Sequence, residues 1–149
     1  MTTKFIAEVS SNHKRDFNRC CEFIKKASEI GCDAVKFQSF KVDKLFSKEI
    51  LSTSEEHRKR KNWELPDEYI EPLSIYAKKL NIDFACTPFD LEAVKNLEKF
   101  VSFYKIASYE LLWDDLLIAC AKTGLPVYLS TGMANMKEIV HAVDILKKY

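Results

Sequence analysis

Two lysines, Lys36 and Lys105, stand inside mostly apolar stretches, AVKFQSF (34–40) and FVSFYKIASYELL (100–112). An ammonium in such a setting must find an anion or shift its pKa. Two carboxylates have comparable settings: Glu8 within FIAEV (5–9), and Glu110 near the end of the second stretch. Neutral hydrogen-bonding side chains recur at similar places, namely Gln38, Thr87, Ser108 and Ser130. Such a set can bind a small polyanion. Two fixed cations would neutralise it. The competing reading is structural: the lysines snorkel to water, or pair with the glutamates.

Other chemistries are disfavoured. Histidines 13, 57 and 141 are scattered. His13, in the loop after the first apolar stretch, is expected at the surface. His57, within SEEHRKRKN, reads as part of a solvated face, and His141 as a structural or exposed helix residue. They define no metal site, and no metal ligand is assigned. The five cysteines are odd in number and form no C-x-x-C pair, which argues against zinc and redox motifs and fits a reducing cytoplasm. None has an obvious histidine partner for nucleophilic catalysis. A net charge of +1 gives no general field for nucleic acid or a membrane surface. The N-terminal apolar run is too short for a signal peptide, and no later segment reaches the length of a membrane span.

The elements that must position these residues alternate regularly. FIAEV (5–9), AVKFQSF (34–40), IDFACT (82–87), SFYKIA (102–107) and PVYLST (126–131) read as strands. Helices are expected from Asp16 to Gly31, over 66–80 with Pro72 in the first turns, and over 90–100 with Asp90 as cap. Two more are expected over 114–124, ending at Gly124, and over 135–149 with Asn135 as cap. A polar stretch runs from the second strand to about residue 65. Five β-α units in one domain over 1–149, with no linker to a second, imply a parallel sheet covered by helices. The chain has only three glycines, so neither G-x-G-x-x-G nor a P-loop is possible. That favours a TIM-type (β/α) barrel over an open nucleotide-binding sheet. Barrel chemistry sits at the C-terminal strand ends, where all the candidates above fall.

With these residues in place, the chain resembles the sialic acid (N-acetylneuraminate) synthase family, together with related nonulosonic acid and spore coat polysaccharide synthases. The matching pieces are FIAEVSSNH (5–13), AVKFQSF (34–40), FACTPFD (84–90), YKIASYE (104–110) and PVYLSTGM (126–133), in the family's order. SSNH and ASYE are variants of stretches that usually carry a glycine. The resemblance implies a cytoplasmic transferase that condenses phosphoenolpyruvate with N-acetylmannosamine or a related N-acetyl hexosamine. It implies Glu8, Lys36, Lys105 and Glu110 as catalytic groups, and Gln38, Thr87, Ser108 and Ser130 as substrate contacts. It also implies a divalent metal, manganese or magnesium, held by histidines beyond the fifth strand that this chain lacks. Five units are only part of a (β/α)8 barrel. The chain is therefore expected to be inactive alone, and to form a homo-oligomer or pair with a complementing C-terminal half. The rival expectations are a Schiff-base aldolase and a non-catalytic anion- or partner-binding fragment.

Overall fold

The computed structural model describes residues 3–149. It begins with β1 (Ile6–Ser10), α1 (Phe17–Glu29) and β2 (Ala34–Ser39), then three short helices, α2 (Val42–Leu45), α3 (Lys48–Thr53) and α4 (Glu55–Lys59). There follow α5 (Ile70–Lys79), β3 (Asp83–Pro88), α6 (Leu91–Leu97) and β4 (Phe103–Ile106). The last elements are α7 (Asp114–Lys122), β5 (Val127–Leu129) and α8 (Met136–Lys148). The five strands form one sheet in sequence order, and every neighbouring pair is parallel. The order never reverses, so the sheet has no switch point of the doubly wound kind.

Period-two alternation separates the two faces of the sheet. Val9, Val35, Phe37, Phe84, Cys86, Tyr104 and Ile106 turn outward into the main core. Cys20 and Ile24 of α1, Leu73 and Ala77 of α5, and Val94 and Leu97 of α6 meet them there, with Leu116, Leu117 and Cys120 of α7. The inner face is thinner. Ala34, Ala85 and Phe103 are buried there with Ile6 against them, and Tyr128 packs on Phe103 with ring centroids 4.7 Å apart. Among the described residues β1 and β5 each pair with one strand only, so the sheet does not close. The expected barrel-type order is present, but not a closed barrel.

Local signals explain the helix ends. The Asp16 carboxylate accepts the Arg19 N–H at 3.0 Å and starts α1. Gly31, at φ +80°, turns the chain away after it. Pro72 lies in the first turn of α5, where its missing N–H has no helical partner to lose. Asp90 accepts N–H groups of Glu92 and Ala93 at 2.9 Å, and Asn135 forms a capping box with Glu138. The polar stretch after β2 is not an open loop. Ser47 and Ser54 cap α3 and α4, and the chain continues through a 3-10 turn at Arg60–Trp63 back toward the β1–α1 loop.

Candidate active site

Each inward strand end delivers one or two of the candidate residues. Glu8 of β1 is in register with Lys36 of β2, and Gln38 with Thr87 of β3. Lys36 is 8% exposed; its ammonium forms an ion pair with Glu8 Oε2 and donates to Thr87 Oγ1 at 3.2 Å. Glu8 is much the more solvated partner: its side chain is 45% exposed against 10% for Lys36. A register shift between Glu8 and Ser10 marks a bulge, and Ser10 sits at φ +53°. That geometry lets the Ser10 N–H donate to Glu8 Oε1 at 2.9 Å, and Ser10 Oγ to Gln38 Oε1 at 3.3 Å.

Lys105 of β4 is half-buried. Its ammonium donates to Ser130 Oγ, just beyond β5, and to the Ile106 carbonyl at 2.7 Å. Both acceptors are neutral, and among the described residues no carboxylate lies within ion-pair distance of it. Burial holds its pKa below the ordinary lysine value. Lys36 lowers it further, while Glu8 and Glu110 pull the other way. The two lysines therefore feel one another across the sheet mouth.

Glu110 follows in a 3-10 turn, Ser108–Glu110, and is 8% exposed. Its Oε2 is buried without a hydrogen-bond partner. Burial raises its pKa; its own backbone N–H and Lys105 oppose the rise. Ser108 lies against the β5–α8 loop. A Cβ on Gly132 would come within 2.8 Å of Ser108 Oγ, so glycine permits the close approach of these segments.

The structure thus groups Glu8, Lys36, Gln38 and Thr87 in one hydrogen-bonded set, and Lys105 with Ser130 in a second. Charge coupling to Glu8, Lys36 and Glu110 joins the two sets. Ser108 joins neither by a side-chain hydrogen bond. Gly132 was not singled out from the sequence, although as one of only three glycines it was a usable signal, and the bulge that brings Ser10 to Glu8 and Gln38 has no sequence signature here. His13 corrects an expectation outright: it is fully buried, not at the surface, because the turn at 60–63 packs over its loop. Cys86, on the outward face beneath Lys36, has its thiol pushed up to about 12 by burial and is unsuited to act as a nucleophile. A groove of about 430 Å³ between α6 and α7, lined by Leu91, Val94 and Ile118, lies outside the strand mouth.

The geometry has counterparts in known proteins. An uncharacterized protein of Methanocaldococcus jannaschii is 42% identical over 97% of this chain, which spans 42% of that protein. The N,N'-diacetyllegionaminic acid synthase of Campylobacter jejuni is 36% identical over 98% of this chain and 47% of the enzyme. The crystal structure of N-acetylneuraminic acid (sialic acid) synthetase from Leptospira borgpetersenii, in complex with citrate, superimposes with a TM-score of 0.90. It is 33% identical over 99% of this chain and 51% of that one. The chain thus spans less than half the length of these two sequence relatives. Residues 23–149 match the NeuB family, and the chain belongs to it.

Proposed function

We propose that the strand mouth binds phosphoenolpyruvate, and that the chain is the N-terminal part of a nonulosonic acid synthase barrel. One observation carries this reading: Lys105 is a partly desolvated cation with only neutral acceptors, on the same sheet face as the buried Lys36 two strands away and sensing its charge. Two such cations disfavour each other until an anion arrives between them. Phosphoenolpyruvate, with its phosphate and carboxylate, offers two anionic groups to two ammoniums.

In the reaction C3 of phosphoenolpyruvate forms a bond to the aldehyde carbon of N-acetylmannosamine or a related N-acetyl hexosamine. The aldehyde oxygen takes a proton and becomes a hydroxyl. Water adds at C2, and the resulting adduct expels phosphate with C–O cleavage, leaving a 2-keto acid. Lys36 and Lys105 hold the phosphate and carboxylate. Glu110, whose burial favours the protonated carboxyl, is suited to give a proton, and the better solvated Glu8 to accept one from water. Thr87, Ser108 and Ser130 supply hydrogen bonds, and Gln38 contacts the sugar. The manganese or magnesium expected of such an enzyme finds no ligand set among the described residues, where no three His, Cys, Asp or Glu side chains cluster. We assign its ligands to residues outside this chain.

The open edges at β1 and β5 support a partner: a C-terminal half supplying the remaining strands, or a second copy. Among the described residues no helix is long and apolar enough to cross a membrane; the proposed function itself implies a cytoplasmic location. The lowered pKa of Lys105 favours one alternative, a Schiff-base aldolase in which the neutral amine attacks a carbonyl. Borohydride trapping of pyruvate on Lys105 would establish it. The main test is phosphate release from phosphoenolpyruvate with N-acetylmannosamine and manganese. The expected result is no steady turnover by the chain alone, and turnover when a C-terminal half of a relative is added. Turnover by the chain alone would overturn the assignment of a partial barrel.

A further inference from the structure

We propose that His13 is a positioning residue whose imidazole clamps the β1–α1 loop and, through it, fixes the Ser10 N–H that holds the Glu8 carboxylate. What Glu8 does in the mouth rests on the function proposed above; the clamp does not. His13 is fully buried, its ring 6.3 Å from that of Phe37. Its Nδ1 accepts the Arg15 N–H at 3.0 Å, so the proton of the neutral ring is on Nε2, a buried atom with no partner within hydrogen-bond geometry.

The loop around it is unusual for a segment without glycine. Ser10, Lys14 and Arg15 all have positive φ, at 53°, 52° and 57°. Side chains disfavour this region, so surrounding contacts must hold it. His13 Nδ1 restrains Arg15, and the Asp16 N–H returns to the His13 carbonyl at 3.0 Å. The Asn12 N–H bonds the Val9 carbonyl at 3.1 Å, which closes a turn with Ser10 at its second position. Ser10 in turn bonds both Glu8 and Gln38. The outer side is fixed as well: Arg15 Nη1 donates to the Lys61 carbonyl at 2.9 Å, and the Tyr69 hydroxyl donates to the Arg15 carbonyl at 3.1 Å. A strained turn anchored at both ends transmits a change at Arg15 to Ser10.

Protonation of the ring tests the clamp. A hydrogen on Nδ1 would face the Arg15 N–H, and two donors cannot bond. Burial and the Arg15 charge already favour the neutral ring, while the backbone at Trp63 favours the proton. The charged and titratable groups around the loop are Lys14 and Arg15 within it, then Asp16 and Arg19 at the start of α1, Lys61 and Glu64 beside the 60–63 turn, and Tyr69 ahead of α5; β2 presents Phe37.

The experiment is nitrogen-15 NMR of the purified chain across pH, with His13→Asn and His13→Leu variants. Asparagine keeps an acceptor near the position of Nδ1 and cannot be protonated; leucine fills space without one. In the wild type His13 is expected as the Nε2–H tautomer, neutral at about pH 7 and taking up a proton only below the ordinary histidine range. On further acidification the Arg15 and Ser10 amides shift together and exchange roughly ten-fold faster, as for one lost hydrogen bond, while those of Val35 and Tyr104 hold. His13→Leu shows the same loss at every pH, and His13→Asn restores both amides and abolishes the pH step. If the Ser10 amide stays put while Arg15 is released, or His13→Leu leaves both unchanged, His13 is only a packing residue. Should His13→Leu fail to fold, the wild-type titration and His13→Asn still decide. None of these readouts uses phosphoenolpyruvate, so a failure of the clamp and a failure of the proposed function are distinguishable.

Discussion

Replacing Lys105 with methionine separates a lysine kept for structure from one kept for a ligand. Methionine preserves the length of the apolar stem and removes the ammonium with its charge and its donors. The native ammonium donates to Ser130 Oγ and the Ile106 carbonyl; bonds of a charged donor contribute about 1.5–3 kcal/mol each where fully buried, and less here because the side chain is only partly buried. Opposing this are the partial desolvation of the charge and repulsion from Lys36, which is itself tied to Glu8. Because Ser130 remains partly exposed and can turn to water, its loss is cheap. The net expectation for Lys105→Met is a stability within about 1 kcal/mol of wild type. Binding of phosphoenolpyruvate should behave otherwise, since a charge-assisted hydrogen bond contributes about 1.5–3 kcal/mol, a ten- to hundred-fold loss of affinity. The pH dependence has a definite sign. The folded pKa of Lys105 lies below its unfolded value, so its charge penalises the fold at lower pH. The penalty is relieved as pH rises through the lowered pKa toward the ordinary lysine value. That rise in stability disappears in Lys105→Met. Urea unfolding at several pH values and calorimetric titration with phosphoenolpyruvate measure both quantities. A variant that loses more than about 2 kcal/mol of stability yet binds phosphoenolpyruvate unchanged would refute the reasoning.

Further outcomes follow from the same structure. Glu110 has a folded pKa above its unfolded value, so its contribution is lost as pH rises through the carboxylate range; Glu110→Gln should flatten that fall, read from urea midpoints between pH 4 and 8. Burial pushes the thiols of Cys20, Cys86 and Cys120 up to about 12, so a disulfide reagent at pH 8 should label at most Cys21 and Cys32 quickly; five fast thiols would mean an open core. Asn135→Ala removes the cap of α8 and should cost about 1 kcal/mol, measured by thermal unfolding.

The strands were legible because their two faces differ in chemistry. In AVKFQSF the outward Val35 and Phe37 alternate with the inward Lys36 and Gln38, and the observed strand covers 34–39. The same alternation placed Glu8 and Lys105 on the inner face. The segment between β2 and α5 was not legible as structure. Its helices are four to six residues long, too short for a 3.6-residue period to show. The burial of His13 was hidden for a related reason: it depends on that segment folding back over the β1–α1 loop, a contact 46 residues away in the case of Arg15 and Lys61. Nor could spacing foretell positive φ at Lys14 and Arg15, where no glycine announces it. The reaction itself came from the resemblance, since two lysines and two glutamates at strand ends specify an anion site but no particular chemistry.

The central claim is that Lys36 and Lys105 together form the anion site. The most direct measurement is a crystal structure of the chain soaked with phosphoenolpyruvate, beside the same soak of a Lys36→Met, Lys105→Met double variant. Phosphoenolpyruvate is expected at the strand mouth of the wild type, with its phosphate and carboxylate on the two ammoniums, and absent from the double variant. Phosphoenolpyruvate bound elsewhere, or bound equally well without either lysine, would contradict it.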